Sequence, residues 1–527
     1  MEPRRPKRTR KPPSPNSVLD RRAFVKALDD RGLVVKAVHI DAFYQALHRQ
    51  HYPDLPEFVN RYYQHEEEAS EKLKSSVPVA PLKNKISGKK NKNRVQLPQK
   101  FLEFVKDPNN GFVTVTSTVA LQKTSGDQTT TKLAVRLHDG QLVESVLMRY
   151  VNQEGSRASL CVSSQCGCAM GCTFCATGTM GLSGNLTTGE ILEQVVHADR
   201  ILANEWQERQ KENVQSNSRG CKNELKLDLV RNIVFMGMGE PLDNYTNVVE
   251  ACRALIDRKR WNLAHGRVTV STVGLVKQIR RLTEELPEIS LALSLHAPNQ
   301  EMRSAIVPTA KNFYINDLID ALDGHMMAYL KKRHPAGTVF SAEQRIQESS
   351  RRRAMIEYVM LEGDTSSLEC AHQLGKLCEN RHLVVNLIPY NQTDVKDKLR
   401  CPSPEHIETF RRIVSSYGAF CTVRRTMGAD IDSACGQLIT LEGSEKGKVR
   451  DIEDTVNQKT GSLKHELANS SQVRRNPVRQ LIEPRVHEVV VKDFDWDPWV
   501  GHLFAATGIA ASCFFVSTYL LLRNRNK

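Results

Sequence analysis

Apolar residues from Val18 to about Tyr63, among them Phe24, Val25, Leu28, Leu33, Phe43, Leu47 and Phe58, recur at helical spacing and predict a small helical module. The pattern changes over residues 112–148. There Val and Thr alternate with polar residues, and Ser125-Gly126-Asp127 and Asp139-Gly140 supply turns, which predicts a small antiparallel sheet. Between Leu160 and Thr440, short apolar runs at 232–236, 268–271, 290–295, 354–360, 383–388 and 420–423 alternate with helical segments. Strands separated by helices in this order specify β/α units around a parallel sheet or barrel. Polar stretches at about 204–227 and 331–353 interrupt the alternation and read as flexible excursions.

The flanks differ in texture. Residues 1–17 are basic and proline-rich with no periodic apolar face, the composition of a disordered arm, and a lysine-rich loop at 83–92 interrupts the helical module. Residues 441–498 are polar and charged and read as a linker. Residues 503–522 then run for twenty positions without a charge, which at ~1.5 Å rise per residue spans about 30 Å, the thickness of a hydrocarbon core. Trp496 and Trp499 before this run and Arg523, Arg525 and Lys527 after it are the interfacial anchors of a spanning helix. The organisation expected is therefore an arm (1–17), a helical module (18–108), a β extension (109–150), a β/α catalytic unit (151–440), a linker (441–498) and a transmembrane tail anchor (499–522).

At 527 residues the chain exceeds one ordinary domain, and its formal net charge of +14 favours polyanionic partners such as RNA or an acidic membrane face. Much of that charge sits in the runs 4–11, 83–94 and 351–353, which read equally well as solvated tails and loops. No RNP, KH or zinc-knuckle pattern marks an RNA-binding module. Thirteen cysteines would suit a disulfide framework in a secreted protein, but the basic N-terminal stretch meets Pro12 and Pro13 in place of an apolar segment. A reducing compartment is expected, where clustered cysteines serve as metal ligands or redox groups.

One cluster stands out. In the segment 161–175, Cys168, Cys172 and Cys175 are spaced C-x3-C-x2-C on one tight loop. Three thiolates so placed can each hold one iron of a [4Fe-4S] cubane and leave the fourth iron open to S-adenosylmethionine (SAM). A zinc site is the alternative, with Cys161 or Cys166 as fourth ligand, but the expected second Cys or Cys/His pair is absent and the surroundings read as β/α.

Five segments, Cys161-Val-Ser-Ser-Gln165, Gly237-Met-Gly-Glu-Pro-Leu242, Ser294-Leu-His-Ala-Pro298, Asn386-Leu-Ile-Pro-Tyr-Asn391 and Asp430-Ile-Asp-Ser-Ala-Cys-Gly-Gln-Leu438, together resemble the RlmN-type adenine carbon-2 methyltransferases of ribosomal and transfer RNA. The resemblance extends from about residue 18 to 440, strongly after Leu160. It implies an α/β fold with a partial (β/α)6 radical SAM barrel, a [4Fe-4S] cluster and two SAM molecules per turnover. It further implies that Cys435 is methylated and then attached to adenine through a radical, that Cys161 resolves the adduct by forming a disulfide with Cys435, and that Glu144, with Glu154 as its rival, is the base. Gly239, Glu240, Ser271, Ser294, Leu295, His296 and Asn391 match the family's SAM contacts, and Cys166 has no counterpart. The same resemblance implies RNA as substrate, a flavodoxin- or ferredoxin-type electron donor, a thiol reductant and a monomer, while the apolar run at 503–522 leads to the expectation of a cytoplasmic catalytic part tethered to an organelle or endoplasmic reticulum membrane. A carbon-8 or other radical methylase, and an inactive membrane-tethered RNA-binding relative, are the alternatives.

Overall fold

The computed structural model describes residues 10–75, 95–152, 155–215, 229–333, 354–381, 383–393 and 399–438. Helices α1 (Arg21–Asp30), α2 (Ala37–Arg49), α3 (Leu55–Ser75) and α4 (Gln99–Lys106) form the N-terminal module. The Asp20 carboxylate accepts from the Ala23 N–H at 3.0 Å and so caps the start of α1. The apolar stripes of these helices merge in an aromatic cluster: Phe24 stacks on Phe43 at 5.4 Å, and Phe58 and Phe101 meet Phe43 edge-on at 5.2 and 5.3 Å. A short parallel bridge between β1 (Asn16–Ser17) and β2 (Phe112–Val113) ties the two ends of the module together.

Strands β3 (Thr118–Thr124), β4 (Thr130–Arg136), β5 (Leu142–Asn152) and β6 (Gly155–Cys161) form an antiparallel meander. A small ribbon, β7 (Gln165–Gly167) with β8 (Leu182–Asn185), brackets the cysteine loop and the one-turn helix α5 (Ala176–Thr179). The β/α alternation follows: α6 (Thr188–Gln215), β9 (Val230–Phe235), α7 (Tyr245–Ile256), β10 (Val268–Thr272), α8 (Val276–Glu285), β11 (Ser290–Ser294), α9 (Gln300–Ile306), α10 (Ile315–Arg333), β12 (Ala354–Met360), α11 (Leu368–Cys378), β13 (Val384–Pro389), α12 (Pro404–Ser416) and β14 (Phe420–Val423). All six apolar runs of the sequence become strands of one parallel series that begins with β6 and runs from β9 to β14.

Three details differ from expectation. The β extension is not a separate sheet: β6 pairs antiparallel with β5 and parallel with β9, so meander and parallel strands form one mixed ten-stranded sheet, β14-β13-β12-β11-β10-β9-β6-β5-β4-β3. The arm expected to be disordered over 1–17 is held from Arg10 onward, because the buried Arg10 guanidinium pairs with Asp139 at 2.7 Å and with the fully buried Glu190 at 2.8 Å. The stretch expected as an excursion from 204 is helical as far as Gln215, where its Glu, Gln and Lys residues extend α6. Among the described residues no helix is long and apolar enough to cross a membrane. The lysine-rich loop at 83–92, Glu154, the linker and the apolar run at 503–522 lie outside the described residues.

Phe43 sits at the centre of the aromatic cluster and is fully buried. Phe43→Ala is expected to lower the unfolding free energy by about 3–5 kcal/mol, read from the denaturant midpoint followed by circular dichroism; a loss under about 1 kcal/mol would contradict this packing.

Candidate active site

The chain enters the cysteine loop along Cys161-Val-Ser-Ser-Gln165, and this segment is zipped to the Gly237–Glu240 loop that follows β9. Gly237 N–H donates to Val162 O at 3.1 Å, Ser164 N–H to Met238 O at 2.9 Å, and Met238 N–H to the Ser163 hydroxyl at 2.8 Å. The same hydroxyl donates to Glu144 O at 2.5 Å, and Gln165 Oε1 accepts from Glu240 N–H at 2.8 Å. The approach is close enough to require glycine. A Cβ at Gly237 would lie 2.7 Å from Val162 O, and one at Gly239, where φ is +101°, would lie 2.5 Å from Gln165 Cβ.

Above this seam a cavity of about 890 Å³, open on one side, contains ten of the residues singled out by sequence: Cys168, Cys172, Cys175, Gly239, Glu240, Ser271, Ser294, His296, Asn391 and Cys435. They sit at or beyond the C-terminal ends of parallel strands, the rim on which β/α enzymes place their sites. Glu240 Oε1 and Oε2 accept from Leu242 N–H at 3.0 Å and Val273 N–H at 2.9 Å. Burial outweighs those bonds and pushes its carboxyl up to about 7. Ser271 and Ser294 hydroxyls bond each other at 3.1 Å. His296 adopts a left-handed backbone, φ +62°, unusual for a residue with a Cβ. Its Nδ1 accepts from Val359 N–H at 3.1 Å, and burial pushes the ring down to about 3, so a neutral imidazole carries its proton on Nε2. The Phe174 ring meets it edge-on at 4.9 Å.

Cys435 also lines a second cavity of about 720 Å³ together with Cys161, Tyr150, Met236 and Arg424, so it belongs to the wall between the two. Its loop is stitched to both neighbours: Ala176 N–H donates to Gly436 O at 2.9 Å, Thr177 Oγ1 to Leu438 O at 2.6 Å, and Asn391 Nδ2 to Cys435 O at 3.3 Å. Burial pushes the Cys435 thiol up, opposed by the Arg424 guanidinium, and pushes Cys161 up to about 12.

Two sequence-predicted residues fall elsewhere. Leu295 is fully buried in the hydrophobic core and outside the cavity lining. Glu144 lies beneath the seam on the same strand face as Val146, Met148 and Tyr150 of the second cavity, with its carboxylate 3.3 Å from Lys132 Nζ. Lys132 also donates to Asp432 O at 3.3 Å, linking Glu144 to the Cys435 loop. Cys166 is buried in β7, away from both cavity linings. Sequence reasoning missed Glu357 and Arg424. Glu357 is buried in β12, accepts from Asn386 Nδ2 at 3.1 Å and faces Arg424 at 3.9 Å. An acid inside the apolar run 354–360 was the available signal.

No protein-family model matches the chain. Over 348 residues it is 36% identical to the ribosomal RNA large subunit methyltransferase N of Nitrosopumilus maritimus, covering 66% of this chain and 86% of that one. The chain belongs to the RlmN family. A dual-specificity RNA methyltransferase RlmN of Myxococcus xanthus is 39% identical over 315 residues, covering 60% of this chain and 74% of its own. The fold agrees: a radical SAM methyltransferase from Sphaerobacter thermophilus superimposes with a TM-score of 0.58 at 31% identity, covering 80% of this chain and 98% of that one. As an RlmN-type radical SAM methyltransferase, this chain is a SAM-dependent enzyme.

Gly239→Ala drives a Cβ into Gln165 and separates the two zipped segments. SAM affinity, measured by equilibrium dialysis, is expected to fall at least tenfold while the iron content of the anaerobically purified protein stays native.

Proposed function

We propose that this chain methylates carbon-2 of adenine in ribosomal and transfer RNA by a radical SAM mechanism. The observation that carries the reading is the position of Cys435 in the wall between a cavity lined by three clustered cysteines and one lined by Cys161.

The donor set fits the implied cofactors. Cys168, Cys172 and Cys175 would hold a [4Fe-4S] cluster. The three cysteines lie on one loop and line one cavity, and a cubane asks each thiolate for a different iron. Burial pushes all three thiols up, so the metal-free protein keeps them protonated, and loading releases protons. Glu240, Ser271, Ser294, His296 and Asn391 would bind SAM beside them, with the glycines admitting its backbone-like amino acid part. Bound together, cluster and SAM supply one-electron cleavage of the sulfonium to a carbon-centred radical.

The protein residues do the rest. Cys435 accepts a methyl group on sulfur, gives up one hydrogen atom of that methyl to the carbon-centred radical and bonds its carbon to the adenine, which enters from the cavity of Tyr150, Met236 and Arg424, and the adduct then gives up one electron, which the cluster would take. The Arg424 guanidinium steadies negative charge on the thiols beside it. Glu144 takes the proton from the substituted carbon. Cys161 attacks the Cys435 sulfur and frees the methylated base, leaving a disulfide for a thiol reductant. A flavodoxin- or ferredoxin-type protein supplies electrons. With this reading goes a monomer whose cytoplasmic catalytic part, the helical module and the mixed sheet, is held to an organelle or endoplasmic reticulum membrane by the apolar run at 503–522.

Reconstituted protein given SAM, reductant and RNA is expected to produce 2-methyladenosine by nucleoside mass spectrometry; 8-methyladenosine in its place would redirect the assignment. Cys435→Ala abolishes the product, and Cys161→Ala accumulates a covalent protein–RNA adduct visible by denaturing electrophoresis. SAM affinity falls toward tenfold per pH unit as pH drops below about 7, because protonation of Glu240 removes its attraction for an ammonium group, and is flat above it. Glu240→Gln removes that slope, which a binding titration from pH 5.5 to 8.5 reads directly.

A further inference from the structure

We infer that Arg303 is a positioning residue that locks the SAM cradle to the cysteine loop and directs its remaining N–H groups onto the Cys172 sulfur, raising the reduction potential of the cluster held there. The inference rests on the radical SAM reading above and concerns a residue to which the mechanism gives no role.

Arg303 heads the largest fully buried side chains among the described residues, an unusual place for a permanent cation. It projects from α9, and its fork grips the ends of two neighbouring strands. Nε donates to Leu295 O at 3.1 Å, while Nη2 donates to Ser294 O at 3.4 Å and to Val273 O. Val273 gives its own N–H to Glu240 at 2.9 Å, so a single peptide group joins Arg303 to the carboxylate that faces the cavity. One helix residue thereby fixes Glu240, Ser294 and the left-handed step at His296 together.

Three carbonyls leave the guanidinium unfinished. Nη1 is buried with no hydrogen-bond partner among the described residues. Leaving donors of a buried cation unmade is costly, and such an atom calls for a partner. The cysteine loop packs against the end of the same helix: Thr173 N–H donates to Ile306 O at 3.0 Å, and Cys172 and Met170 pack with Val307 and Ala310. A cluster gains one negative charge on reduction, so a cationic donor at a ligand sulfur stabilises the reduced form more than the oxidised one.

The test uses the full chain, reconstituted anaerobically, and reads the cluster itself. Arg303→Gln is expected to lower the midpoint potential so that the reduced-to-oxidised ratio at a set potential falls at least tenfold, about 59 mV for one electron. Arg303→Lys, which keeps the charge, restores most of that ratio. Pulsed EPR of the reduced wild-type protein labelled with ¹⁵N-arginine is expected to show coupling to a guanidinium nitrogen, a measurement that decides the matter even where the Gln variant does not fold. A cluster that cleaves SAM but shows neither the potential shift nor the coupling overturns the role of Arg303 and leaves the radical SAM reading intact. A wild-type chain that takes up no iron overturns both.

Discussion

The site depends on how closely two backbones pass each other. The strand leading to the cysteine loop and the loop after β9 share a seam of direct hydrogen bonds, with Ser163 and Gln165 supplying the side-chain links. Space at Gly237 and Gly239 is already taken by Val162 and Gln165. A side chain at either glycine would push apart the two segments that carry the three clustered cysteines and Glu240. The meander presses on the same seam from below, where Glu144 O accepts from Ser163. Its inclusion in the main sheet makes the strand that carries Glu144 and the strand that ends in Cys161 neighbours in one ladder.

Electrostatics adds a second constraint. Thiols, two carboxyls and two guanidinium groups meet here, and burial pushes the acids toward their neutral forms. Reactive charge is affordable only beside a fixed cation, and the fold supplies one at each depth: Arg424 between Cys161 and Cys435, Arg303 behind Cys172. The neutral His296 fits this arrangement, since a second cation so close to Arg303 would be repelled.

Much of this was legible along the chain, for identifiable reasons. The parallel strands announce themselves because a strand buried on both faces is rich in apolar and β-branched residues, as 268–271 and, apart from Glu357, 354–360 are. The cysteine spacing is local chemistry on one loop, and the glycines of the 237–242 segment mark a tight approach without naming its partner. Arg10 shows the opposite case. It reads as one more charge in a basic arm, and only its ion pairs with Asp139 and Glu190, far along the chain, turn it into an anchor. Leu295 sits inside a matching motif, yet strand geometry turns its side chain into the core.

By itself, then, the sequence determined the β/α class, the cysteine triad and the family, because periodicity, ligand spacing and motif order are properties of neighbours along the chain. Only the tertiary structure decided that Cys435 lines two cavities, that Lys132 joins Glu144 to its loop, that Arg424 lines a cavity with Cys161 and Cys435, and that Arg303 is buried against the ends of two strands. Those facts depend on which strand ends meet at the rim of the sheet, and residues more than a hundred positions apart leave no local pattern of meeting there.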